Sequence, residues 1–282
     1  MVILKFHFPN LCFQGYKVTL KMKKYLIDTH AHLDFPQLNN RLDEILKNAL
    51  DNDVKRIVTI STNLNKINKI VKISEKYKEV FHTVGVHPNE VLKDKNNSNY
   101  EMLLDLSKND KCVGIGECGL DYHYGNETKV EQRVSFITQI KVARSTGLPL
   151  IIHARDADID MINILESEYK KGPFKAILHC FSSGKDLALC GIKLGFYVSF
   201  SGIVTFKSAK LIQEIATLIP DDKILVETDA PYLSPTPLRG SINEPKNCLI
   251  TAKYLADIRK SNFSKFVDQL YMNSVKIFDK II

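Results

Sequence analysis

The sequence predicts a (β/α)8 barrel of the TIM type, and three observations carry the prediction. Short apolar runs alternate with amphipathic runs in one unbroken series from Tyr25 onward. Eight of the apolar runs read as strands, and the segments between them carry helical spacing. Histidines and acids gather just past the strand ends, which is where such a barrel builds its active site. A doubly wound open sheet is the alternative. It usually has a glycine-rich phosphate turn after its first strand, and here His30-Ala31-His32 stands in that place.

The first strand is read over residues 25–28, and His30 and His32 follow it. In extended backbone, alternate side chains share a face, so the two rings can grip one cation. The pair alone is equally compatible with two unrelated loop histidines; the recurrence of such residues after later strands favours metal. Leu42, Ile45, Leu46, Ala49 and Leu50 have helical spacing, and residues 56–60 form a second strand. A helix through Ile67, Ile70, Val71 and Ile73 leads to a strand over 80–86, followed by His87 and Pro88. After a polar loop at 93–99, a helix over 100–106 precedes the fourth strand, 112–116, and Glu117.

The longest helix is expected over 129–145, stopped by Gly147 with Pro149 beyond. Strand five (150–152) ends at His153, and a helix covers 159–169. Strand six (176–178) ends at His179, and a helix over 187–194 closes at Gly195. Strand seven spans 196–200, with a helix at 209–218 after it. Strand eight (223–226) delivers Glu227 and Asp229, and helices through Tyr254 and Phe266 complete the series.

Composition bounds the function classes. Hydrophobic residues at 44% and charged residues at 25% suit a soluble globular protein. No apolar run reaches the roughly 18 residues of a membrane span. The net charge of +7 suits a polyanionic partner, although scattered surface lysines give the same sum. Six cysteines without CxxC pairs read as free thiols of a reducing compartment, so the expected location is cytoplasmic. Residues 1–21 are read as an extension, an extra strand or cover, ahead of a single domain at 22–282. The apolar stretch at 6–13 is broken by His7, Pro9 and Asn10, a poor signal core; a targeting role would instead make the protein secreted or organellar.

His30, His32, His87, Glu117, His153, His179, Glu227 and Asp229 thus converge on one barrel face. Imidazole with carboxylate suits zinc, manganese or magnesium. One ion is satisfied by about four protein ligands, so this many candidates suggest two divalent ions with a bridging carboxylate. Glu117 is the expected bridge, since it lies midway between the ligand groups in strand order.

The blocks Asp28-Thr29-His30-Ala31-His32-Leu33-Asp34, Gly85-Val86-His87-Pro88 and Gly116-Glu117-Cys118-Gly119-Leu120-Asp121-Tyr122 resemble those of the TatD-type deoxyribonucleases. So do His153-Ala154-Arg155-Asp156-Ala157, His179-Cys180-Phe181-Ser182, Glu227-Thr228-Asp229-Ala230-Pro231-Tyr232-Leu233, Arg239-Gly240 and Asn243-Glu244-Pro245. The similarity runs in order over about residues 25–282, and residues 1–21 fall outside it. The loop at Ser182-Ser183-Gly184 departs slightly from the family pattern.

The resemblance implies a metal-dependent enzyme that hydrolyses DNA phosphodiesters by a metal-activated water, as a 3'-5' exonuclease. Its ligand positions fall on His30, His32, Glu117, His153, His179 and Asp229, with His87 lining the cleft. Asp229 is then the expected general base. Arg155 and Arg239 are candidates to hold phosphate, against surface or salt-bridging roles. Phe181 and Tyr232 are candidates to stack on a terminal base, with core packing the alternative for Phe181. Hydrolysis of a small ester, lactone or cyclic amide is the rival enzymatic reading, and a barrel that only binds nucleic acid is the non-enzymatic one. Many of the barrels acting on such small substrates bridge their metals with a carbamylated lysine after strand four, where this chain has Glu117. A non-catalytic barrel would be expected to lack a ligand, and none is missing. No protein partner is evident, and a monomer is the default.

Overall fold

The computed structural model describes residues 25–94 and 99–282. Eight strands form one sheet in chain order: β1 (Leu26–Ala31), β2 (Val54–Thr59), β3 (Val80–Val84), β4 (Cys112–Asp121), β5 (Leu150–Arg155), β6 (Ala176–Leu178), β7 (Tyr197–Phe200) and β8 (Ile224–Val226). Every neighbouring pair is parallel. The ring closes just beyond β8, where Ala31 pairs in parallel with Ala230. His32 N–H donates to Ala230 O at 2.7 Å, and Asp229 N–H donates to His30 O at 2.9 Å. The expected (β/α)8 barrel is therefore present.

Around it lie α1 (Pro36–Asn39), α2 (Leu42–Asp51), α3 (Ile67–Lys76), α4 (Tyr100–Leu106), α5 (Lys129–Thr146), α6 (Asp158–Lys170), α7 (Lys185–Lys193), α8 (Lys210–Leu218), α9 (Cys248–Ile258) and α10 (Phe263–Ile277). Their apolar stripes face the sheet: in α3, Ile67, Ile70 and Ile73 are buried while Lys69, Lys72 and Lys76 stay in solvent. As expected, α5 stops at Gly147, whose left-handed φ of 73° lets its N–H bond back to Ala143 O. Pro36 opens α1, which at four residues is too short to show periodicity in sequence.

A separate cluster takes one residue from each strand, from Ile27 on β1 round to Leu225 on β8. Ile277, Phe278 and Ile281 pack onto it. This alternation of inward and outward side chains fills the barrel as a packed core, leaving the opposite mouth for chemistry.

Three strands outrun their expected ends, so His30, Glu117 and His153 lie inside β1, β4 and β5 and not past them. The extra length of β4 and β5 comes from continued pairing, Gly119 with His153 and Asp121 with Arg155. The read extension at 1–21 lies outside the described residues, as does part of the polar loop. No helix among the described residues is long and apolar enough to cross a membrane.

Candidate metal centre

Two β-bulges aim the central side chains. Between Asp28 and Ala31, β1 spends one residue more than β2; between Ile115 and Cys118, β4 spends one more than β5. An extra residue bends a strand and re-aims what it carries. The first bulge contains His30 and the second contains Glu117. Gly116 makes the second possible: its φ is +135°, and a Cβ there would stand 2.7 Å from Ile151 O.

The donor atoms then converge. His30 Nε2 lies 3.3 Å from His32 Nε2, 3.5 Å from Glu117 Oε2 and 3.5 Å from Asp229 Oδ1. His32 Nε2 is 3.9 Å from Glu117 Oε2 and 3.3 Å from Asp229 Oδ1. One imidazole nitrogen has a single proton or lone pair, so His30 Nε2 cannot satisfy three partners by hydrogen bonding. Ligands about 2.1 Å from one tetrahedral ion stand roughly 3.4 Å apart, which matches this spacing. These four residues fit a divalent cation.

The other Glu117 oxygen faces a second group. His179 Nε2 is 2.8 Å from Oε1, His153 Nδ1 is 3.0 Å and His87 Nε2 is 3.4 Å. Carboxylates behind the rings set their tautomers. Asp121 Oδ2 accepts from His153 Nε2 at 3.2 Å, which leaves His153 Nδ1 with its lone pair toward Glu117. Glu227 Oε1 accepts from His179 Nδ1 at 3.3 Å and from Cys180 N–H at 2.7 Å, leaving His179 Nε2 free. His87 runs the other way. Its Nδ1 accepts from Asn89 N–H at 3.0 Å, so its proton sits on Nε2 and points at Glu117. His87 is thus set up as a donor lining the cleft, and Glu227 as a support behind His179.

Charge follows the geometry. Burial alone would raise the Glu117 carboxyl, but the polar surroundings made by His179, His87 and His153 hold it well below the usual range. Asp229 is likewise pushed up by burial but brought below its ordinary value by the hydrogen bond from His32. For His30, burial disfavours the cation and dominates, which keeps the ring neutral and ready to ligate.

A profile of the TatD related DNase family matches residues 27–279. The chain belongs to this family. It is 36% identical over 253 residues to the uncharacterized metal-dependent hydrolase YabD of Bacillus subtilis, covering 90% of this chain and 98% of that one. It is 30% identical over 268 residues to the human deoxyribonuclease TATDN3, covering 91% and 95%. The crystal structure of YJJV, a TatD homolog from Escherichia coli, superimposes with a TM-score of 0.85 at 24% identity, covering 92% and 99%.

In this TatD-family chain the centre opens into a cleft of about 1430 Å³. Arg155 and Tyr232 line it. Arg155 stacks over the Tyr124 ring at 4.7 Å, and half-exposed Tyr232 stands edge-on to Phe35 at 6.0 Å. Two expectations need correction. Phe181 is buried and packs edge-on against Phe200, so it offers no face to a base. Arg239 lies over Phe206 at 4.3 Å, outside the cleft lining.

The sequence reading assigned no role to Asp121, Asn89 or Phe35. Phe35 stacks on His32 at 4.8 Å, and Asn89 Nδ2 donates to Asp121 Oδ2 at 3.0 Å. The only sequence signal for Asp121 was its place in the Glu117 block. Asp28 was also unassigned: its Oδ1 accepts from Thr228 N–H at 2.9 Å and its Oδ2 from the Thr228 hydroxyl at 2.6 Å. Asn243 donates to Thr228 O at 2.9 Å from the other side, so the residue before Asp229 is clamped twice.

Proposed function

We propose that the chain hydrolyses DNA phosphodiester bonds at this centre, releasing nucleotides from a 3' end. The observation that carries the reading is the division of the Glu117 oxygens, Oε2 toward His30 and Oε1 toward His153 and His179. That is the arrangement a bridging carboxylate takes between two ions. His30, His32, Glu117 and Asp229 would hold one divalent ion, and Glu117, His153 and His179 the other, with magnesium, manganese or zinc as candidates. Bound there, the ions would bring the pKa of a water toward neutrality and offset charge developing on the phosphate. The family's description and the name of the human relative support DNA as substrate.

The protein's own groups supply the rest. Asp229, ionised at neutral pH and 14% exposed at its side chain, takes the proton from the attacking water. Its left-handed φ of 57°, held by the Thr228 clamp, fixes that aim. His87 donates from Nε2 into the same space and steadies Glu117. Arg155 holds a phosphate oxygen, with Tyr124 beneath it limiting where the guanidinium can swing. Phe35 and Tyr232 make a wall on which a terminal base stacks.

The test is end-labelled DNA given to metal-depleted protein, with magnesium, manganese or zinc added back separately. The reading expects metal-dependent loss of single nucleotides from the 3' end. No cleavage with any ion rejects the nuclease reading, and internal fragments reject the exonuclease mode.

A further inference from the structure

We propose that the groove between α2 and α3 is a second binding surface, occupied by backbone phosphates of the substrate strand away from the scissile bond. The proposal rests on the DNA reading above and extends it to a strand of several nucleotides. The groove, about 580 Å³, is lined by Arg41, Lys69, Lys72 and Lys76. The lysines follow one another at i, i+3 and i+7 on the solvent face of α3, opposite the buried isoleucines. From Lys69 to Lys76 the helix axis covers about 10 Å, room for two or more phosphates at their roughly 3.4 Å or wider axial spacing.

The groove joins the cleft through a single short segment. Lys69 Nζ donates to the carbonyl of Asp34, and the next residue, Phe35, stacks on His32 and lines the cleft. Asn39 and Asn40, four and five residues on, line the groove. A strand leaving the metal centre over Phe35 therefore descends onto the lysines. The two acids within the groove are engaged: Glu44 chelates Arg41 at 3.0 and 2.7 Å, and Asp43 stands 3.8 Å from Lys76 Nζ.

The test uses the full, metal-loaded chain and a fluorescent single strand of about 12 nucleotides, within ordinary single-strand site sizes. Binding is followed by anisotropy over a salt series, which reads the groove whether or not the strand is cut. Each phosphate contact on a single strand contributes about 0.7 to the slope of log affinity against log salt, so Lys72→Gln with Lys76→Gln should flatten it by about 1.4. Lys72→Glu with Lys76→Glu should raise KM for the oligomer about tenfold more than KM for a dinucleotide, which is too short to reach the groove. An unchanged slope, or equal KM changes for both lengths, overturns the proposal. Failure of the wild type to bind the strand also overturns it. If the wild type binds with the lysine-dependent slope but cleaves neither length with any metal, the groove stands and the nuclease reading falls. Displacement of the bound strand by a poly-glutamate peptide at equal charge concentration would assign the groove to an acidic protein partner and overturn the phosphate assignment.

Discussion

The backbone N–H of Asp229 donates to the carbonyl of His30 at 2.9 Å, so the bond that closes the barrel also joins two candidate ligands. Their side chains meet again, Oδ1 to Nε2, at 3.5 Å. The seam of the sheet and the floor of the site are one piece of structure. Substitutions at this seam therefore need a metal count beside every rate.

Asp229→Asn keeps the size of the side chain and one ligating oxygen but removes the base. Single-turnover cleavage should fall by at least the ~10²-fold typical of general-base loss, while metal content drops only in part. A variant that holds its metal and cleaves at the wild-type rate would move proton transfer to another group.

Glu117→Ala should abolish hydrolysis and remove at least one ion while far-ultraviolet circular dichroism stays native. The basis is the division of its two oxygens between the two groups of histidines. Retention of both ions in the purified variant would show that Glu117 is not the bridge.

Asp121→Asn replaces the acceptor that fixes the His153 tautomer. Loss of such a supporting carboxylate typically weakens metal affinity by about 10- to 100-fold. Competition with a chromogenic chelator measures this directly, and an affinity equal to wild type would reduce Asp121 to a loop contact with Asn89.

His82 offers a pH prediction away from the site. It is buried in the middle of β3, with Nδ1 2.7 Å from the Ser74 hydroxyl. Burial, with Lys280 and Lys111 adding to it, lowers its pKa from 6.5 to about 4. The unfolded chain takes up this proton near 6.5 and the folded chain only near 4, so stability is full above 6.5 and drains away as pH falls toward 4. The loss is on the order of 3 kcal/mol. Denaturant melts of wild type and His82→Gln across that range should converge at low pH as the wild type loses this contribution. Parallel curves would mean that His82 does not drive the acid sensitivity.

Much of this protein is legible in one dimension because barrel strands and helices are local. Ile67, Ile70 and Ile73 declare the inner face of α3, and Ala176–Leu178 is read as a strand with its observed bounds, since both periodicities act over a few residues. The candidate ligands were legible for a related reason: a barrel gathers its strand ends at one face, so His30, His32, His87, Glu117, His153, His179, Glu227 and Asp229 could be placed together without coordinates, and the family resemblance then set His87 and Glu227 apart. What only the tertiary structure decided depends on pairing between strands. The bulges that turn His30 and Glu117 into the mouth exist as a register difference between neighbours, which no single strand encodes. The tautomers of His153 and His179 are set by Asp121 on the neighbouring strand β4 and by Glu227 just past β8, two strands away. Phe181 and Arg239, both plausible contacts by chain position, went to the core and to Phe206, because their loops pack by shape and not by sequence order.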